Sequence, residues 1–239
     1  FSVGDLDKSR SYIDKVKSFP ENIEVRHVMT YEAKSAPSNT STNSITVEMA
    51  QSMVLLPADP MQPRLCDERV GLFSVRFTEY DGEQHLAQNK CFVTRWRLEP
   101  SDPEAYARGE LVEPIEPIIY YIDQNTPVKW RQALIDGVND WQRAFEAAGY
   151  KNAIIGKMAP TPEEDPDFSP EDARYSVIRY FASEINNASG PHVHDPRTGE
   201  ILESDINWYH NVLGLVRRWS FIHTAGYDPQ AQDPDTDEW

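Results

Sequence analysis

From Glu21 to about Leu98, apolar and polar residues alternate with a period of two, the spacing that sends successive side chains to opposite faces of a strand. NIEVRHVMTYEA and SITVEMAQSMVLLP predict two strands, with the polar SAPSNTSTNS between them as a loop or hairpin tip. RVGLFSVRFTEY places Phe73, Val75 and Phe77 on one face, and NKCFVTRWRLEP returns with Phe92, Thr94, Trp96 and Leu98 on one face. Asp81-Gly82 supplies the turn between them. The expectation is an antiparallel sheet, twisted or folded over on itself.

The period then changes. SDPEAYARGELVEPIEP is rich in Pro and Glu and sets a domain boundary, giving a β-rich domain over 1–110 and a second domain over 111–239. PIIYYID predicts a short strand. After it, Trp130, Leu134, Val138, Trp141, Phe145 and Ala148 recur at spacings of three and four, one stripe of a helix. Thr126 suits its N-cap, Pro127 its first turn and Gly149 its C-terminal cap, for a length of roughly 30 Å. NAIIGKMAP and ARYSVIRYFA follow as strands, so strand, helix and strand form a βαβ unit with its two strands parallel. GPHVHDP and GEILESDINW read as two arms around the turn Arg197-Thr198-Gly199. A last helix is expected from about Asn207, with Trp208, Val212, Leu215, Trp219 and Ile222 on one face. The fold class is α+β: an antiparallel β-rich front domain, then a mixed α/β sheet with a long helix.

Charge narrows the function. The chain has 239 residues, with 23 basic against 39 acidic and a formal charge of −16. That balance repels phosphate backbones and anionic lipid, which argues against nucleic-acid partners. No apolar run approaches the length that spans a bilayer, so no membrane insertion is expected. Cys66 and Cys91 either pair, in an oxidising compartment, or stay free; neither belongs to a C-x-x-C motif. PADPMQPRLCDERVG reads as a rigid loop laced by ion pairs among Arg64, Asp67, Glu68 and Arg69.

Candidate chemistry is sparse. His192 and His194, two apart in GPHVHDPRTGEIL, share one face of a strand, a workable chelating pair. Zinc needs at least a third protein ligand. Asp195 points to the opposite face, and His210 or His223 would have to fold back from the last helix. His27 and His85 stand alone. The acidic loop PTPEEDPDFSPEDA offers Asp165, Asp167, Glu171 and Asp172 as oxygen ligands for calcium, without the D-x-D-x-D-G spacing that would single it out.

The order of strand PIIYYID, helix ending AFEAAGY, strands NAIIGKM and YSVIRYF, then GP-x-x-x-DPRTGEIL, resembles the opening of a metzincin-type zinc metallopeptidase domain. With PMQPRLCDERVGLF and CFVTRWRLEP, the chain is similar to secreted bacterial zinc-dependent metalloproteases whose catalytic domain follows an N-terminal domain of uncharacterised function. The resemblance implies peptide-bond hydrolysis by zinc-activated water, a peptide or protein substrate, and a secreted, periplasmic or cell-surface location. It also implies that Gly190, Pro191, His192, Val193 and His194 form a substrate-binding rim, along which a peptide pairs antiparallel to the sheet edge. The H-E-x-x-H-x-x-G-x-x-H motif of that family is missing: among His27, His85, His192, His194, His210 and His223 no two stand four apart. The expectation is therefore a front portion, ending at Trp239 short of the zinc helix, with no catalytic or metal-ligating residue of its own and inactive alone. Its last helix should expose an apolar face on which copies could associate. The competing reading is a non-enzymatic extracellular module that binds glycan or protein, for which six Trp and eleven Tyr supply stacking surface.

Overall fold

The computed structural model describes residues 2–34, 36, 42–80, 85–224 and 226–227. The chain forms two compact units, Phe1–Ala58 with Ser169–Arg174, and Asp59–Phe168 with Tyr175–Trp239. The change of composition near residue 110 thus falls inside the second unit. The Asp81-Gly82 turn and most of SAPSNTSTNS lie outside the described residues.

In the first unit β1 (Ser2–Leu6) and β2 (Tyr12–Ser18) flank a short 3-10 turn, followed by β3 (Asn22–Lys34) and β4 (Ser44–Val54). The 13-residue β3 is the spine. All pairing is antiparallel: β4 runs along one edge from Asn22↔Val54 to Glu32↔Ser44, while β2 covers Ile23 to Val28 and β1 covers Tyr31 to Lys34 on the other. β3 and β4 follow the alternation. β1 and β2 were not anticipated, because a bulge between Ile13 and Lys15 breaks the period of two just where β2 begins. One face of β3 meets Ser169–Arg174. There Glu171 pairs with Lys17 and Arg26, and the buried Asn22 donates to the Glu171 carbonyl at 2.8 Å and accepts the Ala173 N–H at 3.0 Å.

The second unit opens with the hairpin β5 (Ser74–Glu79) and β6 (Gln88–Val93), where Phe77 and Phe92 meet at 5.1 Å as the alternation requires. Cys66 and Cys91 form a disulfide, and Asp67 holds Arg69 in the same loop. A short helix α1 (Pro103–Ala107), capped by the Asp102 carboxylate at 2.9 Å, leads to β7 (Ile118–Ile122). Next come α2 (Val128–Asn139), α3 (Gln142–Ala147), β8 (Ile154–Met158), β9 (Ser176–Phe181), β10 (Ala188–Ser189), β11 (Val193–His194), β12 (Ile201–Glu203), β13 (Ile206–Tyr209) and α4 (Val212–Thr224).

Five strands make the main sheet in the order β10-β13-β9-β7-β8. β8, β7, β9 and β13 run parallel, and β10 is antiparallel at one edge. The strands flanking the helix are parallel, as the βαβ reading requires. The even-numbered residues Ile122, Ile154, Ile178 and Ile206 pack with Leu134, Ile135 and Val138 of α2. Gly156 permits this approach, since a Cβ there would sit 2.9 Å from both the Ile135 carbonyl oxygen and the Val138 Cβ. A second cluster gathers Ala105, Val112, Tyr150 and Ala153 against Leu98 and Phe145.

Three expectations are corrected. The single long helix is two, interrupted at Asp140 and Trp141. Asn139 turns its amide oxygen to the Gly156 N–H at 2.9 Å and Gln142 takes the Ala153 N–H at 3.1 Å, so the break ties the helices to β8, while Trp141 is 64% exposed and leaves the stripe. Thr126 is not the N-cap: Pro127 occupies that place, and the Thr126 hydroxyl is buried without a partner. Finally, the last helix begins at Val212, and Trp208 belongs to β13, because pairing with β9 outweighs a helical spacing that the sequence permits equally well.

Candidate functional site

β10 is the outermost strand on its side of the main sheet, antiparallel to β13 through Ala188↔Trp208 and Ser189↔Asn207. Gly190 and Pro191 follow it directly and are exposed. The Pro191 carbonyl accepts the Ser204 hydroxyl at 3.0 Å, which fastens the segment to the link between β12 and β13. Val193 and His194 then leave the main sheet and pair with Glu203 and Ile201 of β12 as a separate two-stranded ribbon. GEILESDINW is therefore not one arm. It splits after Glu203, its first half pairing with β11 and its second entering the main sheet.

The opposite edge is closed by side chains, since Asn139 and Gln142 hold N–H groups of the β8 segment. Of the five residues expected as a rim, Gly190 and Pro191 run on from β10, while Val193 and His194 belong to the separate ribbon with β12. His192 lies against Phe73 at 6.2 Å and against His194 at 5.3 Å between ring centroids. Burial, and then the neighbouring His194, hold the His192 imidazole below its ordinary 6.5, so it is a neutral ring at neutral pH.

The turn after the rim is the best-organised polar structure nearby. Asp195 is wholly buried; its carboxylate accepts the Arg197 backbone N–H at 2.8 Å and the Arg197 guanidinium at 2.7 Å. Hydrogen bonds from Arg197 hold it below the ordinary carboxylate range. Gly199, at φ +77°, donates to the Asp195 carbonyl at 2.8 Å and gives its own carbonyl to the Arg95 N–H at 2.9 Å. Glu200, buried, meets Arg97 in a two-pronged contact of 2.8 Å at each prong. The turn Arg197-Thr198-Gly199 is expected from sequence; the anchoring role of Asp195 and the partners Arg95 and Arg97 are not. The Asx-turn signal in DPRTG, a carboxylate reaching the N–H two residues on, was available for Asp195; Arg95 and Arg97 are about a hundred residues distant and carry no local signal.

No metal centre forms from these parts. Among the described residues no three His, Cys, Asp or Glu side chains gather as a metal requires. The described residues do not fit zinc. In the acidic loop Glu171 and Asp172 are engaged by cations, the latter by Arg174 at 2.6 Å. His210 is not on the last helix; it follows β13 and bonds Tyr180 at 2.6 Å through Nδ1. His223 does lie on α4 and is exposed.

The chain is thus an α+β protein with a four-stranded antiparallel sheet, a disulfide-linked hairpin and a mixed sheet with one antiparallel edge strand. Residues 1–101 match the model of a domain of unknown function (DUF5117), which takes in the first unit's strands and the disulfide hairpin of the second. The match shows an uncharacterised domain at the front of the chain and does not bear on the peptidase part of the resemblance. No curated protein and no solved structure matches the chain.

Proposed function

We propose that this chain is the portion of a secreted zinc-dependent metalloendopeptidase that precedes the zinc-binding helix, and that its part in peptide-bond hydrolysis is to bind substrate. The observation that carries the reading is the sheet. Four parallel strands end in one antiparallel edge strand, β10, at the place in the chain order where metzincin-type peptidases border their cleft. A substrate strand would lie antiparallel along β10 and Gly190, with Gly190 allowing close approach, Pro191 ending the pairing, and His192, Val193 and His194 beyond it shaping adjacent pockets. Two features lend support. α4 leaves Val216, Trp219 and Ile222 more than half exposed on one side, an apolar strip a following helix would cover. The Cys66–Cys91 disulfide suits a secreted, periplasmic or cell-surface protein. Zinc ligands and the general base would come from sequence outside these residues.

The test is the mass and C-terminal peptide map of the protein as its own cells make it, followed by zinc analysis and a casein-cleavage assay with and without chelator. A polypeptide well above 27.4 kDa that carries H-E-x-x-H, binds zinc and loses cleavage on chelation is the expected result. A natural chain of 27.4 kDa without an associated fragment, or a longer one that cleaves nothing, refutes the proposal.

A further inference from the structure

The chain leaves the second unit after Phe168, joins the first over Ser169–Arg174 and re-enters the second at Tyr175. The roots of this finger are fixed. The Phe168 and Tyr175 rings lie 4.8 Å apart, and they pack on Tyr121 of β7 at 5.3 and 5.4 Å. Between them the finger folds on itself: the buried Asp172 accepts the Arg174 backbone N–H at 3.1 Å and its guanidinium at 2.6 Å. The tip is held in the manner of a bound peptide. Asn22, 4% exposed, reads main chain, its Nδ2 donating to the Glu171 carbonyl at 2.8 Å and its Oδ1 accepting the Ala173 N–H at 3.0 Å. Those two bonds accept any residue at 171, so selection comes from Lys17 and Arg26, each pairing with one oxygen of the Glu171 carboxylate. Ala173 is buried, so the residue two after the glutamate has to be small.

The seat is organised by its own strands. Asn22 Nδ2 also donates to Glu24 at 2.7 Å, and the Ser52 hydroxyl of β4 donates to the other Glu24 oxygen at 2.6 Å, bonds that do not involve the finger. We infer that Lys17, Asn22 and Arg26 form a binding site for a short acidic peptide, with a glutamate two residues before a small one, and that Ser169–Arg174 is its resident, displaceable occupant. The chemistry of the contact carries the second part. The sequence SPEDAR has no large apolar side chain, so the tip is held by polar and charged bonds, which a ligand of the same kind replaces one for one. The roots are pinned by aromatic packing within the second unit, so release of the tip leaves Tyr175 and the start of β9 in place. Tethered at both ends, the finger occupies its seat at an effective concentration on the order of millimolar, and a peptide in solution binds well only once the resident is weakened. The site does not depend on the peptidase reading.

Glu171→Gln, made in the 239-residue chain, keeps the shape of the side chain and removes its charge. Because the Arg174–Tyr175 bond follows the tip directly, trypsin reaches it through local opening of the finger. The variant should be cut there about 10-fold faster than wild type or more, the factor that loss of a charged hydrogen bond implies, with its circular dichroism unchanged. A synthetic SPEDAR peptide, titrated to about 5 mM, should shift the Asn22 side-chain amide resonances of the variant with a dissociation constant of about 1 mM or below, and those of wild type at least 10-fold more weakly. Adding Lys17→Ala to the variant should remove that response, and a peptide with glutamine for its glutamate should not produce it. In wild type alone, the Ala173 amide should exchange with solvent at least about 10-fold faster than the amides of β3, since the finger opens without the sheet. Cleavage at the wild-type rate in Glu171→Gln, loss of its secondary structure, no peptide response up to about 5 mM, or an Ala173 amide that exchanges only with β3 overturns the inference.

Discussion

The docking of the Asp195–Glu200 turn on the 93–95 segment can be tested with three glycines. Gly199 sits at φ +77°, and a Cβ added there would come within 2.5 Å of the Val93 carbonyl oxygen and 3.1 Å of its carbon. Backbone cannot step aside as a flexible side chain can, and the Arg95 N–H to Gly199 carbonyl and Ile201 N–H to Arg95 carbonyl bonds hold both strands in place at 2.9 and 2.8 Å. Gly109 has nearly the same backbone, φ +82°, with nothing within 4 Å of its Cβ position. Gly156 has no positive φ but meets the Ile135 carbonyl and Val138 Cβ at 2.9 Å. Gly109→Ala therefore measures the left-handed penalty alone, about 1 kcal/mol. Gly156→Ala measures overpacking alone, about 2 kcal/mol, and Gly199→Ala combines both at about 3 kcal/mol. All three lie in the second unit, so urea unfolding followed by near-UV circular dichroism reads one transition for the series. The test is the difference between Gly199→Ala and Gly109→Ala. If it is under about 0.5 kcal/mol, within the scatter of independent sites, the turn is not packed on Val93 and the rim is not anchored as described.

The Cys66–Cys91 bond closes a separation of 25 residues, for which chain entropy gives about 3.5 kcal/mol; replacing both by Ser should lower the second unit's unfolding free energy by up to that amount, and denatured, unreduced protein should titrate with no free thiol. Hydrogen bonds from Arg197 put the folded Asp195 pKa below 3.8, so its stabilisation is complete above the unfolded value and is lost as pH falls through the lower folded one; Asp195→Asn should flatten the acid limb of the stability curve below about pH 4, and an unaltered limb refutes the assignment. His192 should titrate below 6.5 by NMR, with His194→Ala moving it part of the way back up, since burial is the larger cause and His194 the smaller; because the folded value is depressed, protonating this ring costs stability as pH falls below 6.5.

Much of the fold was legible because it is local. Alternation located β3, β4, β5 and β6, the three-and-four spacing located the helical stretches of α2 with α3 and of α4 but neither the break between the first two nor α1, and Gly149 at φ +92° terminates its helix as expected. Where an apolar run fits two periods, the sequence is ambiguous: Trp208 continues the α4 stripe on paper, yet its backbone is taken by β9. What packs around the GPHVHDPRTGE stretch was not legible: Phe73 and Ser204 reach His192 and Pro191, and Arg95 and Arg97 reach Gly199 and Glu200, from distant segments that only contact in space relates.

The charge of −16, the α+β class, the parallel strands around α2 and α3, and the absence of an H-E-x-x-H motif follow from the order of residues alone, because each depends on composition or on neighbours within a few turns of chain. Tertiary structure decided which strands share a sheet, that Ser169–Arg174 belongs with the first unit, and that Cys66 meets Cys91. A period of two divides a strand into two faces. It does not say which of them will find a partner, since that depends on which non-local surfaces the rest of the chain can bring to it.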